Sequence, residues 1–305
     1  MSVDTSSMIT TTGKRTWTIL EILGATADYL KTKGIDDARL NAELLLAHVL
    51  NCRRIDLYAN FDKPVKESER DQYKSLLKRR VSREPLQYIL GETEFMGLRF
   101  SVDRRVLIPR PDTEILVEKA IDVCRQFPEG TESIAILDIG TGSGNIAVSL
   151  AKFVGNAHVT AIDVSADALE VAKKNGELHN LSPRIEWKIV DVLSDAVFEI
   201  GDAFDMVVSN PPYGSEEDLK TFQPEIIEYE PKNAIFNGGD GLKFLRRISE
   251  VGNRLLRKGG YLLFEVGFDQ SLKIREIMGG FGYEDIEVFK DLAGIDRVIK
   301  GRRRN

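Results

Sequence analysis

The chain has 305 residues, 42% hydrophobic and 30% charged, a balance ordinary for a soluble protein and a length sufficient for two domains. Its net charge of −6 argues against bulk nucleic-acid binding driven by phosphate neutralisation, although local basic patches remain compatible with it. Cys52 and Cys124 make neither a C-x-x-C pair nor a disulfide framework, as expected in a reducing cytosol, and His48, His158 and His179 lack metal-ligand spacing, so no metal site is expected.

In chain order, Met1 to Arg15 is rich in Ser and Thr without an apolar core, which predicts a disordered lead over 1–15 rather than a signal peptide. No run approaches transmembrane length. Trp17, Leu20, Leu23, Ala27 and Leu30 recur at helical spacing, with Lys33-Gly34 as a stop. Asp36 or Asp37 is the expected cap of a second helix carrying Leu40, Leu44, Leu45, Ala47 and Val49. A third helix is predicted over 68–82. The stretch from Lys63 to Glu84 holds eight basic and four acidic residues, a composition that usually marks a solvated face and is also compatible with contact to RNA or an acidic partner.

At Glu84-Pro85 the pattern changes. Aromatic, β-branched and glycine residues from Leu86 to Gly91 and from Glu94 to Val102 predict a β-hairpin. Ile108-Pro109-Arg110-Pro111-Asp112-Thr113-Glu114 then reads as a hinge, with Asp112 or Thr113 capping a helix over 114–125. The expected organisation is a helical substrate-docking domain over 16–84, hairpin and hinge over 85–113, and the main domain over 114–305.

The main domain opens on an apolar strand, Ile134 to Ile139, followed by Gly140-Thr141-Gly142-Ser143-Gly144-Asn145 and a helix over 146–153. Glycines between strand and helix let a ligand approach the backbone, but Asn145 stands where a dinucleotide fingerprint wants glycine, so a nicotinamide site fits poorly. A second strand, Val159 to Asp163, ends in a carboxylate of the type that accepts bonds from two ribose hydroxyls. A third, Ile185 to Val190, ends at Asp191-Val192. Phe204 to Val208 is a fourth, and it must stop at Pro211, since neither Pro211 nor Pro212 can donate to a ladder.

Asn210 is therefore held at the carboxyl end of that strand, where open α/β sheets bind ligands. Its side-chain oxygen and the Pro211 carbonyl are two acceptors suited to a planar NH2 group, with Tyr213 available to stack on it. Further on, a helix over 242–257, a Lys258-Gly259-Gly260 turn and a strand over 261–266 are predicted. A helix over 270–278 and strands over 286–289 and 297–299 follow, with Lys300, Arg302, Arg303 and Arg304 as a frayed basic tail. The alternation predicts an α/β fold whose mostly parallel sheet is covered on both faces.

Asp138-Ile-Gly-Thr-Gly-Ser-Gly144, Asp163 and Asn210-Pro-Pro-Tyr213 together resemble the class I S-adenosylmethionine-dependent methyltransferases. Glu84-Pro-Leu-Gln-Tyr-Ile-Leu-Gly91, Glu94-Phe-Met-Gly97 and Ile108-Pro-Arg-Pro-Asp-Thr-Glu114 narrow the resemblance. They are similar to the protein-(glutamine-N5) methyltransferases of the PrmC/HemK family, which modify the Gly-Gly-Gln motif of bacterial peptide chain release factors. The likeness covers Arg83 to the C-terminus well and the first helices only in general character. It implies a Rossmann-like, seven-stranded sheet with a small N-terminal helical domain joined by a β-hairpin. It also implies S-adenosyl-L-methionine as cofactor, S-adenosyl-L-homocysteine as product, and release factors 1 and 2 as protein substrates of a cytoplasmic, monomeric enzyme.

By the same resemblance Gly140, Thr141, Gly142, Ser143 and Gly144 shape the cofactor pocket, Asp163 holds the ribose hydroxyls and Asp191-Val192 border the adenine. Asp138 supports the loop or meets the methionine part, and Asn210 borders the cofactor as well. Asn210, Pro211, Pro212 and Tyr213 take the glutamine amide, with Phe100 and Pro109 to Pro111 as lids. Three other readings share parts of the pattern. A DNA adenine-N6 methyltransferase uses the same Asn-Pro-Pro-Tyr acceptors on a flipped base, but the acidic charge, the lack of an obvious base-reading domain and the Arg83 to Glu114 signature oppose it. A sister enzyme methylating a glutamine of ribosomal protein uL3 differs in the hinge. A non-catalytic cofactor-binding adaptor would leave Asn210 to Tyr213 without a use.

Overall fold

The computed structural model describes residues 16–201, 203–215, 217–236 and 239–305, so the lead expected over 1–15 lies outside the described residues. It divides into two compact units, one ending at Leu90 and the other running from Gly91 to Asn305. The boundary thus falls between the residues expected for the hairpin, which belongs wholly to the second unit.

The first unit is helical. Its opening helix, Ile19–Thr32, starts at a capping box in which the Thr18 side chain accepts from Glu21 N–H and Glu21 reaches back to Thr18 N–H. The helix Ala38–Leu50 is not capped by an aspartate side chain as expected: Asp37 takes a left-handed conformation, and the Asn41 amide holds the Asp36 and Asp37 carbonyls at 3.1 Å instead. Buried Glu43 gathers Arg39 and Arg54 at 2.6 Å each, together with the Tyr58 hydroxyl. That convergence ties a short helix, Arg54–Ala59, to the longer one.

Part of the basic stretch turns inward. Along the helix Glu67–Val81 and just after it, Arg79 pairs with Glu84, Arg80 is buried and bonded to Asn41, and Arg83 donates to the Gly34 and Lys33 carbonyls. Leu86–Leu90 is a helical turn rather than the first arm of a hairpin. Pro85 is tolerated at the entry of a helix, and Ile89 finds its apolar partners in the core of this unit.

In the second unit the hairpin pairs β1 (Glu92–Phe95) with β2 (Leu98–Ser101). Among the described residues the main sheet has seven strands: β3 (Ile134–Ile139), β4 (Ala157–Asp163), β5 (Ile185–Ile189), β6 (Phe204–Ser209), β7 (Leu256–Glu265), β8 (Tyr283–Lys290) and β9 (Asp296–Arg303), in the order β5-β4-β3-β6-β7-β9-β8. The five strands β3 to β7 run parallel and β9 lies antiparallel to both neighbours.

Alternate residues feed opposite cores. Ile134 and Ile136 of β3 join Met206 and Val208 of β6 on one face, while Leu137, Ile139 and Val207 pack on the other. Two sequence expectations change here. Lys258-Gly259-Gly260 is not a turn but an irregular start of β7, accompanied by a register shift against β6. The basic tail is largely strand: Lys300 to Arg303 pair with β7 and β8, and Lys300 bonds Glu287 at 2.6 Å. Backbone pairing on two sides outweighs the solvation of isolated charges.

The order of strands fixes where a ligand can sit. From β3 the chain winds outward through β4 and β5, then returns to β6 on the other side of β3, so the β3/β6 boundary is the topological switch point. Ile139 and Ser209 are partners in register there, and the Ser209 hydroxyl donates to the Ile139 carbonyl at 2.7 Å. The glycine loop and the Asn-Pro-Pro-Tyr loop therefore leave the sheet side by side.

Candidate active site

The glycine loop is held from below and from the side. Gly140 and Thr141 N–H donate to the Ile162 carbonyl at 2.9 and 3.0 Å, and the Thr141 hydroxyl donates to Asp138 at 2.6 Å. Asp138 is fully buried; burial pushes its carboxyl up to about 7, against the pull of the Thr141 bond. Asp163 accepts from Gly142 N–H and Ser165 N–H, both at 2.9 Å. It too is raised by burial, and those backbone donors oppose the shift.

The glycines divide their work. Gly140 has φ +72 and no atom within 4 Å of where a Cβ would stand, so its bare backbone faces open space. Gly144 has Ala172 and the Trp187 ring at 3.1 Å from its absent Cβ, which makes it a packing position between helices and sheet. Thr141 and Ser143 of the loop and Asp138 before it are buried, and none of the three lines the cleft that runs along the loop. Asn175, wholly buried, secures the Ser143 carbonyl at 2.8 Å and bonds both backbone groups of Ser101.

A cleft of about 490 Å³ opens along this loop, lined by Gly140, Gly142, Asp163, Asp191, Val192 and the Asn210 to Pro212 segment. Sequence reasoning missed its apolar wall of Val164, Phe244 and Ile248. Asp191 turns one carboxylate oxygen to Leu193 N–H at 2.8 Å. A second cavity, of about 1060 Å³, includes Arg110, Pro111, Asn210, Pro211, Tyr213, Phe268 and Arg297. Asn210 and Pro211 stand in the walls of both.

Behind Asn210 lies a chain of buried polar bonds. Asn210 Nδ2 donates to Thr113 Oγ1 at 3.0 Å, Thr113 Oγ1 donates to Glu265 Oε2 at 2.6 Å, and Tyr213 Oη donates to Glu265 Oε1 at 2.8 Å. Burial beside Glu265 holds the Tyr213 phenol well above its ordinary value. The Tyr213 carbonyl is fixed by Gln270, whose other amide end takes Gly267 N–H. Asp112 and Thr113 both lie inside the helix Asp112–Cys124, whose N-cap is Pro111, so neither caps it as the sequence reading had it.

Arg110 lies in the large cavity and pairs at 2.6 Å with Glu230, nearly fully buried. Phe100 departs from expectation. It has no exposed surface, sits edge-on to Phe95 at 6.1 Å and packs in the hydrophobic core, because it points inward from a hairpin lying on the sheet's helical cover.

The cleft suits a nucleoside-containing sulfonium. Its volume is that of a small-ligand site, Gly140 leaves backbone open where a Cβ would intrude, Asp163 offers acceptors for hydroxyls, and Val164, Val192 and Phe244 give apolar walls for a flat ring. A glycine loop after the first strand of a seven-stranded sheet with an antiparallel β9, an acid after the second and Asn-Pro-Pro-Tyr at the switch point define a class I S-adenosylmethionine-dependent methyltransferase.

Comparison with known proteins sharpens the class. Residues 21–91 match the PrmC N-terminal domain and residues 123–242 the methyltransferase small domain. The release factor glutamine methyltransferase of Geobacter sulfurreducens is 43% identical over 94% of this chain and 97% of its own length, and that of Chlorobaculum tepidum is 40% identical over the same shares. The chain belongs to the release factor glutamine methyltransferase family. In fold it is similar to the catalytic domain of hMettl16 solved with a MAT2A 3′UTR hairpin, at a TM-score of 0.54 and 20% identity over 80% of this chain and 86% of that one. Among the described residues no helix is long and apolar enough to cross a membrane.

Proposed function

We propose that the chain transfers a methyl group from S-adenosyl-L-methionine to the side-chain amide nitrogen of the glutamine in the Gly-Gly-Gln motif of peptide chain release factors 1 and 2. The single observation that carries this is the placement of Asn210 and Pro211 in the walls of two cavities at once. One cavity fits the methyl donor and the other is large enough for a glutamine-bearing loop. We place the enzyme in the cytoplasm as a monomer, and its net charge of −6 supports the absence of stable nucleic-acid binding.

A primary amide nitrogen is a weak nucleophile because its lone pair is delocalised into the carbonyl. When bound, S-adenosylmethionine supplies a methyl group activated by a sulfonium. The chain's own part is orientation: Asn210 Oδ1 and the Pro211 carbonyl each accept one amide hydrogen, aim the nitrogen lone pair and stabilise the positive charge that grows on it. Tyr213 lies along the amide plane. Positioning of this kind contributes on the order of 7–11 kcal/mol.

Methyl transfer from labelled S-adenosylmethionine to a purified release factor tests the reading, beside the factor's Gln→Ala variant at Gly-Gly-Gln and an adenine-containing DNA duplex. Label on the intact factor alone is the expected result. Label on the duplex alone would keep the cofactor and overturn the substrate.

We assign release factor docking to the first unit, since a loop glutamine alone offers too little surface for a selective complex. Ile55, Tyr58 and Phe61 are strongly exposed there, with Leu20 N–H bonded to the Phe61 carbonyl. Ile55→Asp with Phe61→Asp is expected to raise KM for the whole release factor while leaving a short Gly-Gly-Gln peptide unaffected. Equal change on both substrates would remove the docking role.

A further inference from the structure

We infer that Thr113 and Glu265 are specificity-determining positioning residues, which lock the Asn210 side chain with its oxygen toward the substrate cavity and so select a primary amide over a carboxylate. The inference rests on the substrate reading above and deepens it. It starts from hydrogen counting. Burial pushes the Glu265 carboxyl up, and the Thr113 and Tyr213 hydroxyls that both donate to it, with Arg297 nearby, pull it back. Thr113 has one hydroxyl hydrogen, and the 2.6 Å bond to Glu265 Oε2 uses it. Toward Asn210 the same oxygen can then only accept. The Asn210 group at 3.0 Å from it must be the nitrogen, which leaves Oδ1 for the cavity.

Both residues are out of solvent, at 1% exposure each, so water does not compete for the relay. Glu265 acts a second time through Tyr213. Its Oε1 takes the phenolic hydrogen at 2.8 Å, so the hydroxyl is occupied within the protein and cannot donate to a substrate oxygen. A substrate head group at Asn210 and Tyr213 thus meets acceptors and a ring, without a donor from either side chain. A glutamine NH2 has two hydrogens to give such a site. The carboxylate of glutamate has none, and Arg110 and Arg297 of the same cavity are paired with Glu230 and Asp291. A site built this way leaves its own polar groups unpaired with the wrong partner, which is the stronger form of discrimination.

The relay makes the orientation of Asn210 depend on a hydroxyl that never touches substrate. Thr113→Val keeps the shape and removes the hydroxyl, while Thr113→Ser keeps the hydroxyl. With a release factor as substrate and its Gly-Gly-Glu variant as competitive inhibitor, the wild-type and Thr113→Ser enzymes are expected to bind the inhibitor poorly relative to substrate. In Thr113→Val the amide turns freely, kcat falls and the ratio of inhibitor Ki to substrate KM shrinks, each by roughly tenfold, the scale of one hydrogen bond.

A second readout needs no substrate. The Asn210 side-chain amide protons, followed by NMR, are expected to exchange slowly with water in the wild type and Thr113→Ser and quickly in Thr113→Val. Slow exchange in Thr113→Val would overturn the lock. Fast exchange with an unchanged inhibitor ratio would overturn the selectivity. A wild-type enzyme inert toward release factors would fail the substrate reading instead, and the exchange rates would still decide the lock.

Discussion

Asn210→Ala is expected to lower turnover on a release factor by roughly 10²–10³-fold, the loss seen when one polar group aimed at developing charge is removed, while S-adenosylmethionine binding stays largely intact. The cofactor cleft keeps Gly140, Gly142, Asp163 and its apolar wall in that variant, whereas the nitrogen of the substrate amide loses one of its two acceptors. Asn210→Asp is the sharper substitution. It preserves an acceptor facing the cavity but cannot donate to Thr113, whose hydroxyl is already bonded to Glu265 at 2.6 Å. Two carboxylates would then compete for one hydrogen. Single-turnover methyl transfer, with equilibrium binding of the cofactor measured on the same preparations, separates the two effects. Wild-type turnover in Asn210→Ala would remove the residue from the reacting amide.

The geometry gives this result a simple cause. Asn210 and Pro211 are common to two cavities because β6 ends at Ser209 in register with Ile139, so the loop that carries the substrate acceptors leaves the sheet beside the loop that faces the cofactor. Loss of one acceptor disturbs the nitrogen, while the cofactor cleft keeps the rest of its lining.

What could be read in the sequence was what is local. The glycine loop, Asp163 and Asn-Pro-Pro-Tyr each follow a short apolar strand, and the punctuation by Gly and Pro fixes both the strand end and the residues that stand there. Thr113 and Glu265 gave no such signal. They lie 152 residues apart, one inside a helix where it reads as a possible cap and the other near the end of an apolar strand, and only the switch point brings them together. Phe100 misleads for the opposite reason. An aromatic beside a hinge looks like a lid, but the alternation of its hairpin turns it inward, and the number of apolar neighbours decides its place. Charge alone likewise misreads Lys300 to Arg303, because periodicity in so basic a run is masked while the backbone pairs on both sides.

Asp138 carries the clearest dependence on pH. Its carboxyl stands at about 7 in the folded chain against an ordinary 3.8, with burial as the main cause. A carboxyl raised on folding binds more protons in the folded state than in the unfolded one across that interval, so its contribution to stability falls as pH rises from about 4 to about 7 and then levels. Asp138→Asn abolishes the titration and keeps an acceptor for the Thr141 hydroxyl. The variant pays for this with a buried NH2 that needs a partner, a cost independent of pH. Measured by denaturant unfolding of the ligand-free protein, the stability of the variant relative to the wild type is expected to climb by at most roughly 1.4 kcal/mol for each pH unit in that window. Other titrating groups are shared by the two chains and cancel in the difference. Parallel stability curves between pH 4 and pH 8 would show that Asp138 is ionised throughout and that the loop above it, through Thr141, rests on a charged carboxylate.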